Sequence, residues 1–288
     1  MIKTLFYILS SIPRAFFVIL IDIYLYTRIY KLFASYKITK INLKIAYPDL
    51  NNLNIELLAK LSIRESLISG YETIYTWGSN THDSNEMIFR IENNFLLNNY
   101  ILQGKGMILV ALHNRSVDML LAWICSQTVT VSLYKKIKNK ALDLFVKNKR
   151  ESDGSICVET SIIGVRKIYK ALKQNKVICF AADQVPQRGM GEYIKFFNRD
   201  AYSTTLVQSL ALKTGCPLVY FYINSNKDNY LTVTLEMINK SIYNDSKRSQ
   251  IINKGIEGII NKRPIDYSWE YKRFKKSKSD QQDPYSGI

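Results

Sequence analysis

Apolar positions fall into two textures along the chain. Residues 53–76, LNIELLAKLSIRESLISGYETIYT, repeat apolar side chains at intervals of three and four, the spacing of one helix face. A polar stretch at 78–86 follows, and residues 87–97 continue a helical pattern. Beyond them come short apolar runs: MILVAL (107–112), VTVSLY (129–134), ICVE (156–159), VICFAAD (177–183), PLVYFYI (217–223) and LTVTLEMI (231–238). Their length and β-branched content predict strands. Helical patterns lie between them: one after Ser116, one after Thr160, and one after Ser203 that ends at Gly215. Ser or Thr at each start is a candidate N-cap, and Gly215 a C-cap. A last helix is expected over 246–262, ahead of Pro264. Strands alternating with helices predict an α/β fold, with a central mixed, partly parallel sheet flanked by helices.

The N-terminus is different. Residues 5–26 form an apolar run long enough to cross a bilayer, interrupted by Pro13, Arg14 and Asp22. The small-residue site of a cleaved signal peptide does not follow it. Residues 1–28 are therefore expected to be a membrane-associated helix, either inserted or lying in the aromatic-rich interface, and 29–288 the main domain. Arg28, Lys31, Lys37, Lys40 and Lys44 come next, and by the positive-inside rule they place that domain on the cytoplasmic side.

Charge narrows the partners. Forty Lys and Arg against 24 Asp and Glu give +16 over 288 residues. Such a surface attracts polyanions: anionic lipid, phosphorylated substrates, acidic carrier proteins or nucleic acid. Finger and aromatic RNA-binding signatures are absent, which speaks against nucleic acid. Cys125, Cys157, Cys179 and Cys216 form no CxxC pair and sit in or beside apolar runs, so buried thiols are expected rather than a disulfide framework or metal site.

The sharpest local feature is GMILVALHNRSVDMLLAW. His113 ends an apolar strand and Asp118 follows five residues later. On a continuous helix they would stand about 140° apart, and on a strand they would face opposite ways. A strand–turn–helix leaves both at the carboxyl end of the sheet, where open α/β sheets bind ligands. A neutral imidazole there can take a proton from an attacking hydroxyl, with a carboxylate fixing its tautomer. Asp118 is equally placed to cap its helix. Asp183 and Gln184 end another strand and face the same cleft. Arg188 and Lys195 lie in a loop of some twenty residues, long enough to suggest function.

HNRSVD resembles the HxxxxD/E motif of glycerolipid acyltransferases. Further blocks, in order, resemble the late acyltransferases of lipid A biosynthesis: INLKIAYPDL (41–50), ETIYTW (72–77), NKALDLFVKNKRESDG (139–154), GVRKIYKALKQNKVICFAADQ (164–184), FFNRDAYSTT (196–205) and PIDYSWEYKRFK (264–275). Asn114–Val117 and Lys140 depart from that family's usual residues. The resemblance implies transfer of a fatty acyl chain from acyl carrier protein to a hydroxyl of a lipid A precursor at the inner membrane, without cofactor or metal. It implies His113 and Asp118 as the catalytic pair. It also implies Arg150, with Asp183 and Gln184, on the substrates; Arg188 is expected there from its long loop, whose stretch 185–189 departs from the family. A different lipid acceptor, or a non-enzymatic basic binding protein, remains open on the residues themselves. The tail cations Lys272, Arg273, Lys275, Lys276 and Lys278 are expected to offer a basic surface, with a frayed end from Lys278 onward.

Overall fold

Pro13 breaks the N-terminal run into two helices, α1 (Ile2–Ser10) and α2 (Arg14–Tyr26), bent by 89°. No single helix is long and apolar enough to cross a membrane among the described residues; this pair is, taken together. The charges that interrupt the run turn toward protein. Asp22 forms a two-pronged pair with Arg64 at 2.6 and 3.1 Å, and Arg14 lies 3.9 Å from Glu72. After α3 (Ala34–Ala46) both partners come from α4 (Asn52–Gly78), the long helix that the periodicity predicts. Asn51 caps α4, accepting from the Asn54 N–H at 2.9 Å.

The chain continues through α5 (Thr81–Glu86), β1 (Ile88–Glu92), α6 (Phe95–Leu102), β2 (Met107–Ala111), α7 (Val117–Gln127), β3 (Thr130–Tyr134), α8 (Lys140–Arg150), β4 (Ile156–Glu159), α9 (Ile162–Lys173) and β5 (Val177–Ala181). It closes with β6 (Gly191–Phe196), β7 (Arg199–Thr204), α10 (Leu206–Thr214), β8 (Leu218–Ser225), β9 (Leu231–Met237) and α11 (Arg248–Lys262). The computed structural model describes residues 2–104, 106–244, 248–278 and 280–288. Residues 246 and 247, expected to open α11, lie outside these.

Seven strands form one sheet in the order β1-β9-β8-β2-β5-β3-β4. Strands β8, β2, β5, β3 and β4 are mutually parallel, β9 runs antiparallel to β8, and β1 follows β9. The sheet is thus mixed and mostly parallel, flanked by helices. Every residue of β2 is buried. Ile108 and Val110 join the core beneath α3, α4, α9 and α11, while Met107, Leu109 and Ala111 pack with Leu97, Met119, Trp123 and Ile124 on the other face.

Three segments differ from expectation. Residues 87–97 hold β1 and then α6 in place of one helix: Asn93, with φ 58°, ends the strand and donates to the Leu235 carbonyl at 2.9 Å. The expected long loop contains the β6–β7 hairpin, turned by Phe197 at φ 51° and Asn198. Ser203 is therefore a strand residue and caps nothing. Gly215 does end α10, at φ 68°. Ser116 caps α7 through the Met119 N–H, and Ser161, next to Thr160, caps α9.

The C-terminus is packed, against the expectation of fraying. Tyr285 is buried; its hydroxyl bonds Asn42 at 2.6 Å and accepts from the Phe274 N–H. Arg273 is buried too, donating to the Tyr202 carbonyl and Ser203, with its guanidinium 4.8 Å from the Phe196 ring centroid. It belongs to the core, not to a basic surface.

One buried ion cluster fixes the turn between β2 and α7. Arg115, fully buried at φ 58°, bonds Glu65 and Glu72 of α4 and lies 3.6 Å from Asp266. Its backbone N–H donates to the Asp266 carbonyl at 3.0 Å. Replacing Arg115 by Leu should strand three buried carboxylates and lower stability by about 3–5 kcal/mol. Denaturant unfolding of the variant measures this; an unchanged midpoint would contradict it.

Candidate active site

Strand register brings the chemistry together. Ala111 of β2 pairs with Ala181 of β5, so His113 and Asp183 stand two residues beyond matched positions on neighbouring parallel strands. Asp183 grips His113 twice: one carboxylate oxygen accepts from the His113 backbone N–H at 2.9 Å, and the other meets imidazole Nδ1 at 2.9 Å. A carboxylate only accepts, so Nδ1 carries a proton. In the neutral ring, Nε2 then holds the lone pair, and the Gln184 amide nitrogen lies 3.0 Å from it. Once the ring is protonated, Nε2 becomes a donor, and the Gln184 carbonyl would have to turn toward it.

Asp118 is elsewhere. It forms a two-pronged pair with Arg150 at 2.7 and 3.0 Å, in place of the imidazole contact expected of it. The five-residue spacing puts Asp118 in the first turn of α7, facing α8, while His113 is turned toward β5. Asp183, expected on substrate, is 1% exposed in its side chain and serves the imidazole. Gln184 and Arg150 line the cavity beside His113; Arg188 is exposed and is not among the lining residues. Lys195 pairs with Asp200 on the hairpin.

The electrostatics follow from these contacts. Burial disfavours the imidazolium, but the Asp183 carboxylate outweighs it and raises the His113 pKa above the ordinary 6.5, with Arg150 opposing. Asp183 is held low: burial pushes it up, and the facing imidazolium pulls it further down. Burial also opposes the Arg150 charge, yet Asp118 keeps its pKa raised.

The closing segment supports the site from behind. The Ser268 N–H donates to the His113 carbonyl at 3.0 Å, Asn114 bridges to Tyr267, and the Tyr271 hydroxyl accepts from the Val185 N–H at 3.0 Å. In front of His113 opens a cavity of about 360 Å³. Val117, Leu121, Leu133, Phe180, Met190 and Leu206 supply much of its wall, and Lys135, Thr160 and Gln187 also line it. No metal-ligating cluster of three His, Cys, Asp or Glu occurs among the described residues.

Residues 4–276 match the model of the bacterial lipid A biosynthesis acyltransferase family. The chain belongs to that family. No curated protein matches it. Membership in this acyltransferase family covers nearly the whole chain, and the closing block around Tyr267–Arg273 is seen to brace the two loops that carry His113 and Asp183.

Sequence reasoning singles out His113 and Asp183 but expects Asp118 at the imidazole, where the structure has Asp183 instead. The missing fact is that β2 and β5 are neighbours, which no local pattern reveals. Nuclear magnetic resonance titration should place His113 above 6.5 in this acyltransferase, and Asp183→Asn should lower it. With the folded value above the unfolded one, the protonated ring stabilises the fold fully below about pH 6.5 and less as pH rises through the raised value. A His113 pKa unmoved by Asp183→Asn would contradict the coupling.

Proposed function

We propose that the protein transfers a fatty acyl chain from an acyl carrier protein thioester to a hydroxyl of a lipid A precursor. The observation that carries this is the apolar cavity opening beside an imidazole whose Nδ1 is bound by a buried carboxylate, in a chain of this family. The cavity holds the acyl chain, and the thioester carbonyl lies near His113 and Arg150. The acceptor hydroxyl displaces the Gln184 amide from Nε2, and its proton passes to Nε2 as the oxygen bonds the carbonyl carbon. Asp183 stabilises the resulting imidazolium. Arg150, oriented by Asp118, faces the oxyanion. Collapse breaks the carbon–sulfur bond, and the Nε2 proton goes to the departing thiolate, restoring the neutral ring. No covalent intermediate is required.

The N-terminal helices support work at a membrane. Leu5, Tyr7, Ile8, Phe16, Ile19 and Ile23 are exposed on α1 and α2. We place this face in the cytoplasmic leaflet of the inner membrane, with the sheet domain on the cytoplasmic side.

Incubation with acyl carrier protein thioester and a lipid A precursor, followed by mass spectrometry of the lipid, tests the reaction. His113→Ala should lower kcat by about 10²–10⁴-fold. Asp183→Asn should also lower kcat, and it should move the acid limb of the rate profile to lower pH, because the base then loses its proton more readily. Near-normal turnover by folded His113→Ala would sink the mechanism.

Asp118→Asn should act through Arg150. Losing the carboxylate loosens the guanidinium, so kcat should fall while the His113 titration barely moves. Arg150→Ala should cost about 10²–10³-fold in kcat. A fall confined to KM in both variants would make Arg150 a binding residue only.

A further inference from the structure

The cavity leads away from His113 toward the far edge of the sheet, under the ends of β3 and β4. Tyr134 pairs with Glu159 at those ends, and the Thr160 N–H donates to the Tyr134 carbonyl at 2.9 Å. Lys135 and Thr160 line the mouth. Two segments leave from this point. One is the loop after β3, YKKIKNK (134–140), and the other is α9 with its flanks, TSIIGVRKIYKALKQNK (160–176). Neither contains an acid. Their exposed side chains make one face.

On α9, Ile162 and Ile163 are 70% and 66% exposed in the first turn. Arg166, Lys167 and Lys170 continue the same stripe. Positions four and eight residues apart share a helix face, so the stripe runs about 12 Å outward from the mouth. Lys136 and Lys138 are exposed in the adjoining loop. None of these cations makes an ion pair among the described residues. Some cations elsewhere are engaged: Lys31 and Lys40 share Glu56, and Lys276 donates to the Pro186 carbonyl. Two bare isoleucines beside free cations, at the opening of an acyl cavity, match a partner with an acidic helix and a small apolar spot.

We propose that this face, built from the β3–α8 loop and the outer stripe of α9, docks the acidic carrier protein that delivers the acyl thioester. The proposal rests on reading the cavity as the acyl site. A membrane fits the face less well. The stripe carries cations between its isoleucines and the end of the helix, whereas the broad exposed apolar surface, with its aromatic residues, lies on α1, α2 and α4. Docking here would seat the carrier at the cavity mouth and feed its thioester inward to His113.

The test uses the full chain in lipid nanodiscs and fluorescence anisotropy of labelled holo acyl carrier protein. The triple variant Arg166→Glu, Lys167→Glu, Lys170→Glu should weaken carrier binding by at least about 10-fold, because like charges then face each other. Added salt should weaken the wild type and leave the variant nearly flat. KM for the acyl carrier protein should rise in step, while turnover of the same acyl chain on pantetheine stays unchanged. Ile162→Ser with Ile163→Ser should weaken carrier binding without altering its salt dependence. Unchanged carrier affinity in the charge variant would overturn the proposal. So would a defect seen only with anionic phospholipid vesicles or with single-stranded nucleic acid. Carrier binding lost in the variant, but no acyl transfer by the wild type from either donor, would uphold the docking face and overturn the acyl-transfer reading.

Discussion

A buried guanidinium organises this molecule. Arg115 sits two residues after the histidine, in left-handed backbone that side-chain-bearing residues rarely adopt. What holds it there is charge. Glu65 and Glu72 of α4 and Asp266 of the closing segment converge on it, with Arg14, Arg64 and Arg263 at the edge of the cluster. Burial pushes the Glu72 and Asp266 carboxyls up, and Arg115 draws them back only in part. Such a cluster is a costly way to gain stability, since apolar side chains of equal volume often do as well. It ties three parts of the chain, remote in sequence, to a single turn, and that turn sets where His113 ends.

The arrangement separates two roles that a short motif suggests are one. His113 and Asp118 share a turn, yet each takes its partner from another element: β5 supplies Asp183 to the first, α8 supplies Arg150 to the second. A hydrogen-bonded imidazole and a fixed cation thus face one cavity from two sides. Their coupling is electrostatic, because Arg150 opposes the protonation that Asp183 favours. The imidazole is thereby kept closer to neutrality than Asp183 alone would leave it.

Much of the fold was legible in the sequence, for identifiable reasons. The central strands are continuous apolar runs because helices cover both faces, and such runs announce themselves. Helix α7 has its Ser116 cap, and α10 its Gly215 stop. What escaped were elements at the margin. Strand β1 lies on the edge with a mostly exposed pattern, and its Ile88, Phe89 and Ile91 fit a helix equally well. The β6–β7 turn is Phe197-Asn198, without the Asn-Gly or Asp-Gly pair that marks a tight hairpin. The C-terminal cations read as a surface, but Arg273 is buried by Phe196 and Tyr202, contacts set by tertiary packing. At the site, strand ends pointed to His113, Asp183 and Gln184, and the family resemblance to Arg150; only strand order could say which pairs with which.

Gly78, the last residue of α4, lies so close to α1 that a β-carbon there would stand 2.2 Å from the Phe6 carbonyl oxygen and collide with Ser10. Phe6 reaches past it to stack on Phe145 of α8 and to meet Trp77 edge-on, each at 5.2 Å between ring centroids. The first helix is therefore a wall of the globular body as much as an exposed apolar surface. A shortened form made for solubility by trimming the N-terminus would uncover Trp77 and Phe145 and remove the Asp22 partner of Arg64. It would trade one greasy surface for another, so a tractable soluble version would keep both helices and replace only their outward apolar residues.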